Sequence, residues 1–181
     1  MNWEAFHRRG DVLQAVIKEA DVRRDGELPM YVAGVEQVFR DELDLLGALS
    51  LRWHTRLSGH TETIAKEQPL DLEQATIEAW RGAADEIPGV RLVLDKALAE
   101  GDDEVVEILE RSREKERELL ALNSGRISAY QLAEHGARVG AAVEAKAREG
   151  FEIGANWVPE PVPTLFERIK AGTRSRTSAI A

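Results

Sequence analysis

The stretch "VEQVFRDELDLLGALSLRWHTRLSGHTETIAK", residues 35–66, decides the fold class. Val35, Phe39, Leu46, Leu49, Trp53, Leu57 and Ile64 recur at three- and four-residue spacing. That period puts them on one face of a helix, and no period-2 alternation competes with it. The spacing therefore predicts one long helix from about Val35 to Lys66, with Gly47 and Gly59 as places where it bends or breaks.

The same pattern extends in both directions. Phe6, Leu13, Val16, Ile17 and Ala20 form a stripe within a helix from about Trp3 to Arg24, and "RRDGELPMYVAG" (23–34) reads as a loop. Downstream, Asp71 followed by Gln74 is a capping signal for a helix reaching about Ile87. "IPG" breaks that helix, and a shorter one runs to about Glu100 before the stop at Gly101. Asp102 or Asp103 caps a helix through Leu122, and Ser128 starts another that closes at Gly150. Leu, Ala, Glu and Arg, all good helix formers, dominate throughout. The expectation is an all-α protein: an antiparallel helical bundle of about five to six helices over 1–149, then a proline-rich C-terminal extension, 150–181, ending in a short helix.

Composition narrows the function. The chain has 181 residues, enough for one core, and no cysteine, which removes disulfides, thiolate catalysis and cysteine metal ligation. The N-terminus lacks the apolar run of a signal peptide, and no segment has the roughly 18 apolar residues of a membrane span. A cytoplasmic location is expected. Net charge is −9. An acidic body repels phosphate backbones, so nucleic acid is not an expected partner. The charge is uneven, −10 over 1–149 and +1 over 150–181, where Arg168, Lys170, Arg174 and Arg176 make a basic end.

Candidate chemistry is sparse. "EAFH" (4–7) has the Glu-x-x-His form that di-iron bundles use on two helices, but no second copy occurs. With Phe6 pointing to the core, Glu4 lies about 160° away and faces water. In the long helix, Glu42 aligns with Leu46, Leu49 and Trp53, while His54 aligns with Leu43. "ERSREKERE" (110–118) interrupts the apolar stripe of its helix. Either that middle is exposed and laced by pairs such as Glu107–Arg111, the plainer reading, or Ser112 and Glu116 enter a polar layer. In the second case Glu42, His54 and Glu116 are candidate ligands for one metal ion or a small molecule, in a ferritin-like or haemerythrin-like bundle. Without that metal ion no cofactor is expected. The last helix carries a stripe of small residues, Ala129, Leu132, Gly136, Val139, Gly140, Val143 and Ala147, suited to close packing within the bundle or against a second subunit. No nucleophile elbow, phosphate-cradling glycine loop or zinc-protease motif is present, and enzymatic activity is not the expectation.

The C-terminal extension attracts most of the functional expectation. "ANWVPEPVPTLFERI" (155–169) has Pro159, Pro161 and Pro163 at alternate positions, which favours a stiff, extended spacer. Trp157 precedes the spacer, and Leu165, Phe166 and Ile169 follow it at helical anchor spacing. These residues are candidates for contact with a protein partner or with another copy in a homo-oligomer, or for packing on the chain's own helices. The stretches "DELDLLGALSLRWHTRLSG" and "LDLEQATIEAWRGAADEIPGVRLVLD" resemble those of uncharacterised helical proteins from high-GC actinobacteria. That resemblance spans about residues 1–125 and implies a helical fold without a defined activity.

Overall fold

The computed structural model describes the backbone of residues 3–158 and the side chains of residues 7–158. Within that range the chain is all-helical and contains no strand. Seven helices follow in order: α1 (Trp3–Arg23), α2 (Val35–Val38), α3 (Glu42–Lys66), α4 (Leu72–Glu86), α5 (Pro88–Glu100), α6 (Asp103–Asn123) and α7 (Leu132–Arg148), the last preceded by a 3-10 turn at Ala129–Gln131. No helix among the described residues is long and apolar enough to cross a membrane.

The long helix expected over 35–66 is split. Phe39 is extended, and Asp41 caps α3 by accepting the Asp44 N–H at 2.7 Å. Its carboxylate satisfies an amide that would otherwise lack a partner at a helix start. Arg9 of α1 stabilises the break from the other side. It donates to the Val38 carbonyl at 2.6 Å, pairs with Asp44 at 2.8 Å, and lies 4.1 Å over the Phe39 ring. Gly47 and Gly59 do not interrupt α3, which runs through both.

The remaining boundaries follow local sequence chemistry. Asp71 accepts the Gln74 N–H at 2.9 Å, and Asp102 accepts the Val105 N–H at 2.9 Å. Pro88 occupies the first turn of α5, where its missing N–H costs nothing. Ser128 and Gln131 form a reciprocal capping box. At the end of α7, Arg81 reaches across from α4 to donate to the carbonyls of Ala147 (2.8 Å) and Glu149 (3.0 Å), a cation placed at the negative end of the helix dipole.

The core is centred on Trp53 of α3 and Trp80 of α4, edge to face with centroids 5.7 Å apart. Burying each contributes about 4 kcal/mol at 25 cal/mol per Å² of apolar surface. Around them lie Val16 and Ile17 of α1, Leu45, Leu49 and Leu57 of α3, Val90 and Val93 of α5, Leu109 and Leu120 of α6, and Val143 of α7. The small-residue stripe of the last helix packs within the chain, with Gly136, Gly140, Val143 and Ala147 buried. At Gly140 the α7 backbone lies so near α6 that a Cβ would sit 1.9 Å from the Arg117 carbonyl oxygen. Gly89 of α5 is as close to α1, where a Cβ would be 2.0 Å from the Ala20 carbonyl carbon.

After α7 the chain turns back onto these helices. Phe151 packs edge to face on Trp80 at 6.2 Å, and the Gly154 carbonyl accepts from Arg24 at 2.9 Å. Trp157 lies half-buried, with the Arg24 guanidinium 5.4 Å from its ring centroid.

Candidate functional site

The middle of α6 is not exposed along its length. Ser112 is half-buried and Glu116 is buried, with 2% of its surface accessible. Arg111 and Glu107 pair on the outer face as the i,i+4 spacing indicates, while the inner face builds a polar layer through the core. A buried carboxylate must be paired or hydrogen-bonded. Glu116 accepts from the Trp80 indole N–H at 2.9 Å and pairs with Arg91 at 3.2 Å. The Arg91 guanidinium also meets Asp95 at 2.9 Å and stacks 4.9 Å over Trp53. Asp95 in turn holds Arg148 in a two-bond fork at 2.8 and 2.9 Å. Arg148 stacks 4.7 Å over Trp80 and bonds Glu144 at 3.0 Å. Glu144 is shared further with Arg113 (3.1 Å) and Arg117 (3.2 Å). Burial pushes the Glu144 carboxyl upward, but its arginine neighbours outweigh this and hold it below the usual carboxylate range. The layer thus alternates carboxylate and guanidinium across α5, α6 and α7, with the Trp80 indole of α4 joined to it.

His54 borders this layer. Its Nε2 is 2.9 Å from the Ser112 Oγ, which is also hydrogen-bonded to Ser50. Burial pulls the imidazole below its ordinary pKa, against the opposing pull of Glu116. His54 and Glu116 are therefore neighbours in one polar layer. Glu42 is not: because α3 begins at Glu42, capped by Asp41, it occupies the exposed first turn, twelve residues and about 18 Å of helix from His54. There it edges a groove with Lys96 and Glu100. Both Glu116 oxygens are engaged, and no group of three or more His, Cys, Asp or Glu among the described residues is placed to hold a metal ion. For "EAFH", His7 is exposed and the Glu4 side chain lies outside the described residues.

Most of this layer escaped sequence reasoning. Arg91 and Asp95, and Glu144 and Arg148, form i,i+4 pairs in ordinary helical segments, and the bond that connects the two pairs spans about 50 residues of chain. The available signal was a lone charge on an apolar face, Arg91 within "GVRLVLD" and Glu144 within "AAVEAKA".

The second feature is a cleft of about 310 Å³ between α1, α3 and the end of α4. Ile17, Val22 and Ile87 supply apolar wall, Arg52 and Arg56 of α3 supply positive charge, and Trp157 closes one side. Of the proposed contact residues, Trp157 is thus placed on the chain's own surface. Pro159, Pro161, Pro163, Leu165, Phe166 and Ile169 lie outside the described residues. No protein-family model, curated protein or solved structure matches this chain.

Proposed function

We propose that this is a non-enzymatic, antiparallel helical bundle that works through protein–protein contact, with its C-terminal arm as the contacting element. The observation that carries the reading is the seat of Trp157. Arg24 holds both its ring and the Gly154 carbonyl, so the chain beyond Val158 sets out from a fixed point on the helical body. The sequence that follows has a proline spacer, the anchors Leu165, Phe166 and Ile169, and a basic end. A partner with an acidic surface fits that charge, and the acidic body of a second copy is one such surface. The polar layer supports the same reading, because its buried carboxylates Glu116 and Glu144 are each engaged by guanidinium groups.

The test compares the full chain with a chain ending at Val158. Circular dichroism checks the helices, light scattering across a concentration series gives the mass, and affinity purification from the native cell gives the partner set. The arm reading expects unchanged helical content and loss of self-association or of a specific partner. Unchanged mass together with an unchanged partner set refutes it, and so does collapse of the helices on truncation.

A further inference from the structure

The cleft between α1, α3 and the end of α4 has an unusual charge balance for this molecule. The chain carries −9 overall, yet Lys18, Arg52 and Arg56 face only Asp21 and Glu86 in the cleft. Those carboxylates are already occupied. Asp21 is buried and accepts the Gly89 N–H at 2.8 Å. Glu86 pairs with Arg56 at 3.0 Å and with His60 at 3.0 Å. Arg52 has no ion pair among the described residues, and its Nε is buried without a hydrogen-bond acceptor. The Arg56 Nε is likewise buried and unpaired. Half-burial and the neighbouring Arg56 charge both work against the Arg52 cation, with Glu86 only partly offsetting them. The Arg52 Nη groups have no hydrogen bond among the described residues and are the part of the fork open to an added anion, and charge-assisted bonds to them are about twice as strong as neutral ones.

The remaining wall defines the rest of the ligand. Ile17 and Ile87 are buried core residues whose outer surface borders the cleft, and Val22 and Trp157 extend the apolar side. Ligand sites combine such apolar walls with a few fixed polar groups, and about 310 Å³ is at the small end of their range. Three cations against two carboxylates leave one positive charge to be balanced, which suits a monoanion. We propose that this cleft binds a small organic monocarboxylate with an apolar body, its carboxylate on Arg52 and its body between Val22, Ile87 and Trp157. The site shares one residue with the arm reading. It uses residues that the arm does not need, except Trp157, which forms its side wall.

Isothermal titration of the full chain with phenylacetate and octanoate tests the site, with phenylacetamide and inorganic phosphate as matched probes. The expected result is saturable one-site binding of at least one carboxylate and binding at least about tenfold weaker for the amide. Arg52→Gln should weaken carboxylate binding by about tenfold or more, and Arg52→Lys should restore part of it. Val22→Trp gives a second handle, because Val22 is 55% exposed and a larger side chain there fills the apolar half without entering the core. It should abolish binding with the helical spectrum intact. The proposal is overturned if neither carboxylate saturates below about 10 mM, or if phosphate or the amide binds as tightly. Undiminished binding in a folded Arg52→Gln or Val22→Trp chain also overturns it.

Discussion

Replacing Gly140 by alanine should destabilise the protein, although alanine is the better helix former. On an open helix surface the change gains about 1 kcal/mol. At Gly140, however, the new Cβ would lie 1.9 Å from the Arg117 carbonyl oxygen, 2.4 Å from its carbon and 2.6 Å from its Cα. Ordinary contact begins at 3.4 Å, so α6 and α7 must separate by about 1.5 Å along that line. The obstacle is backbone, and no rotamer change relieves it. Overpacking of this kind costs about 1–3 kcal/mol, and a rigid helix-to-helix clash belongs at the upper end. Subtracting the helix gain leaves a net loss of about 2 kcal/mol, or about 4–8 °C in Tm for a chain of this size. Gly47→Ala and Gly59→Ala are the controls, because nothing lies within 4 Å of a Cβ at either position. They should raise Tm by up to about 2–4 °C each. Urea unfolding at constant m-value, backed by calorimetry, reads all three. If Gly140→Ala melts with or above the parent while Gly47→Ala is stabilising, the close α6–α7 approach is wrong.

Two further perturbations probe the buried charges. Glu116→Ala removes the acceptor of the Trp80 indole N–H and leaves Arg91 with Asp95 alone. Removing one member of a buried pair costs about 3–5 kcal/mol, and the surviving Arg91–Asp95 pair puts the loss at about 3 kcal/mol. A loss below about 1 kcal/mol in urea unfolding would show that the layer is not energetically connected. Asp21 gives a pH signature: burial pushes its carboxyl up to about 6, against the Gly89 and Val90 N–H bonds that pull it down. Because the folded value exceeds the ordinary 3.8, the folded state binds this proton more tightly, and stability contributed by the neutral carboxyl is lost as pH rises from about 4 to about 6. Asp21→Asn keeps an acceptor for Gly89 without the charge. It should therefore be more stable than the parent above pH 6, by about 1–2 kcal/mol, with a flatter stability profile between pH 4 and 6. Identical profiles for the two chains would refute the assignment to Asp21.

The candidate site was only partly legible in the sequence. His54 and Glu116 could be singled out because a polar residue on an apolar stripe is visible in one helix. Arg91 and Asp95 pair within α5, but the bonds that join them to Glu116 of α6 and to Arg148 of α7 cross between helices, and no one helix shows them. Glu42 illustrates the opposite error. Its alignment with Trp53 holds around the helix axis, but alignment does not say whether a neighbouring element covers that turn. It is exposed at the first turn of α3.

Local information determined the helical class, the Asp71 cap, a cap at Asp102 or Asp103, the break at Pro88 and the stop at Gly101, and the structure selects Asp102. These depend on the periodicity and hydrogen-bonding capacity of a few adjacent residues, so the sequence states them directly. Tertiary structure decided that the helix over 35–66 breaks before Asp41, where Arg9 supplies the compensating contacts. It also decided that Ser112 and Glu116 turn inward, and that Arg52 lines a cleft without an ion pair among the described residues. Each of these outcomes is set by desolvation and charge pairing between helices distant in sequence, quantities that exist only once the helices have met.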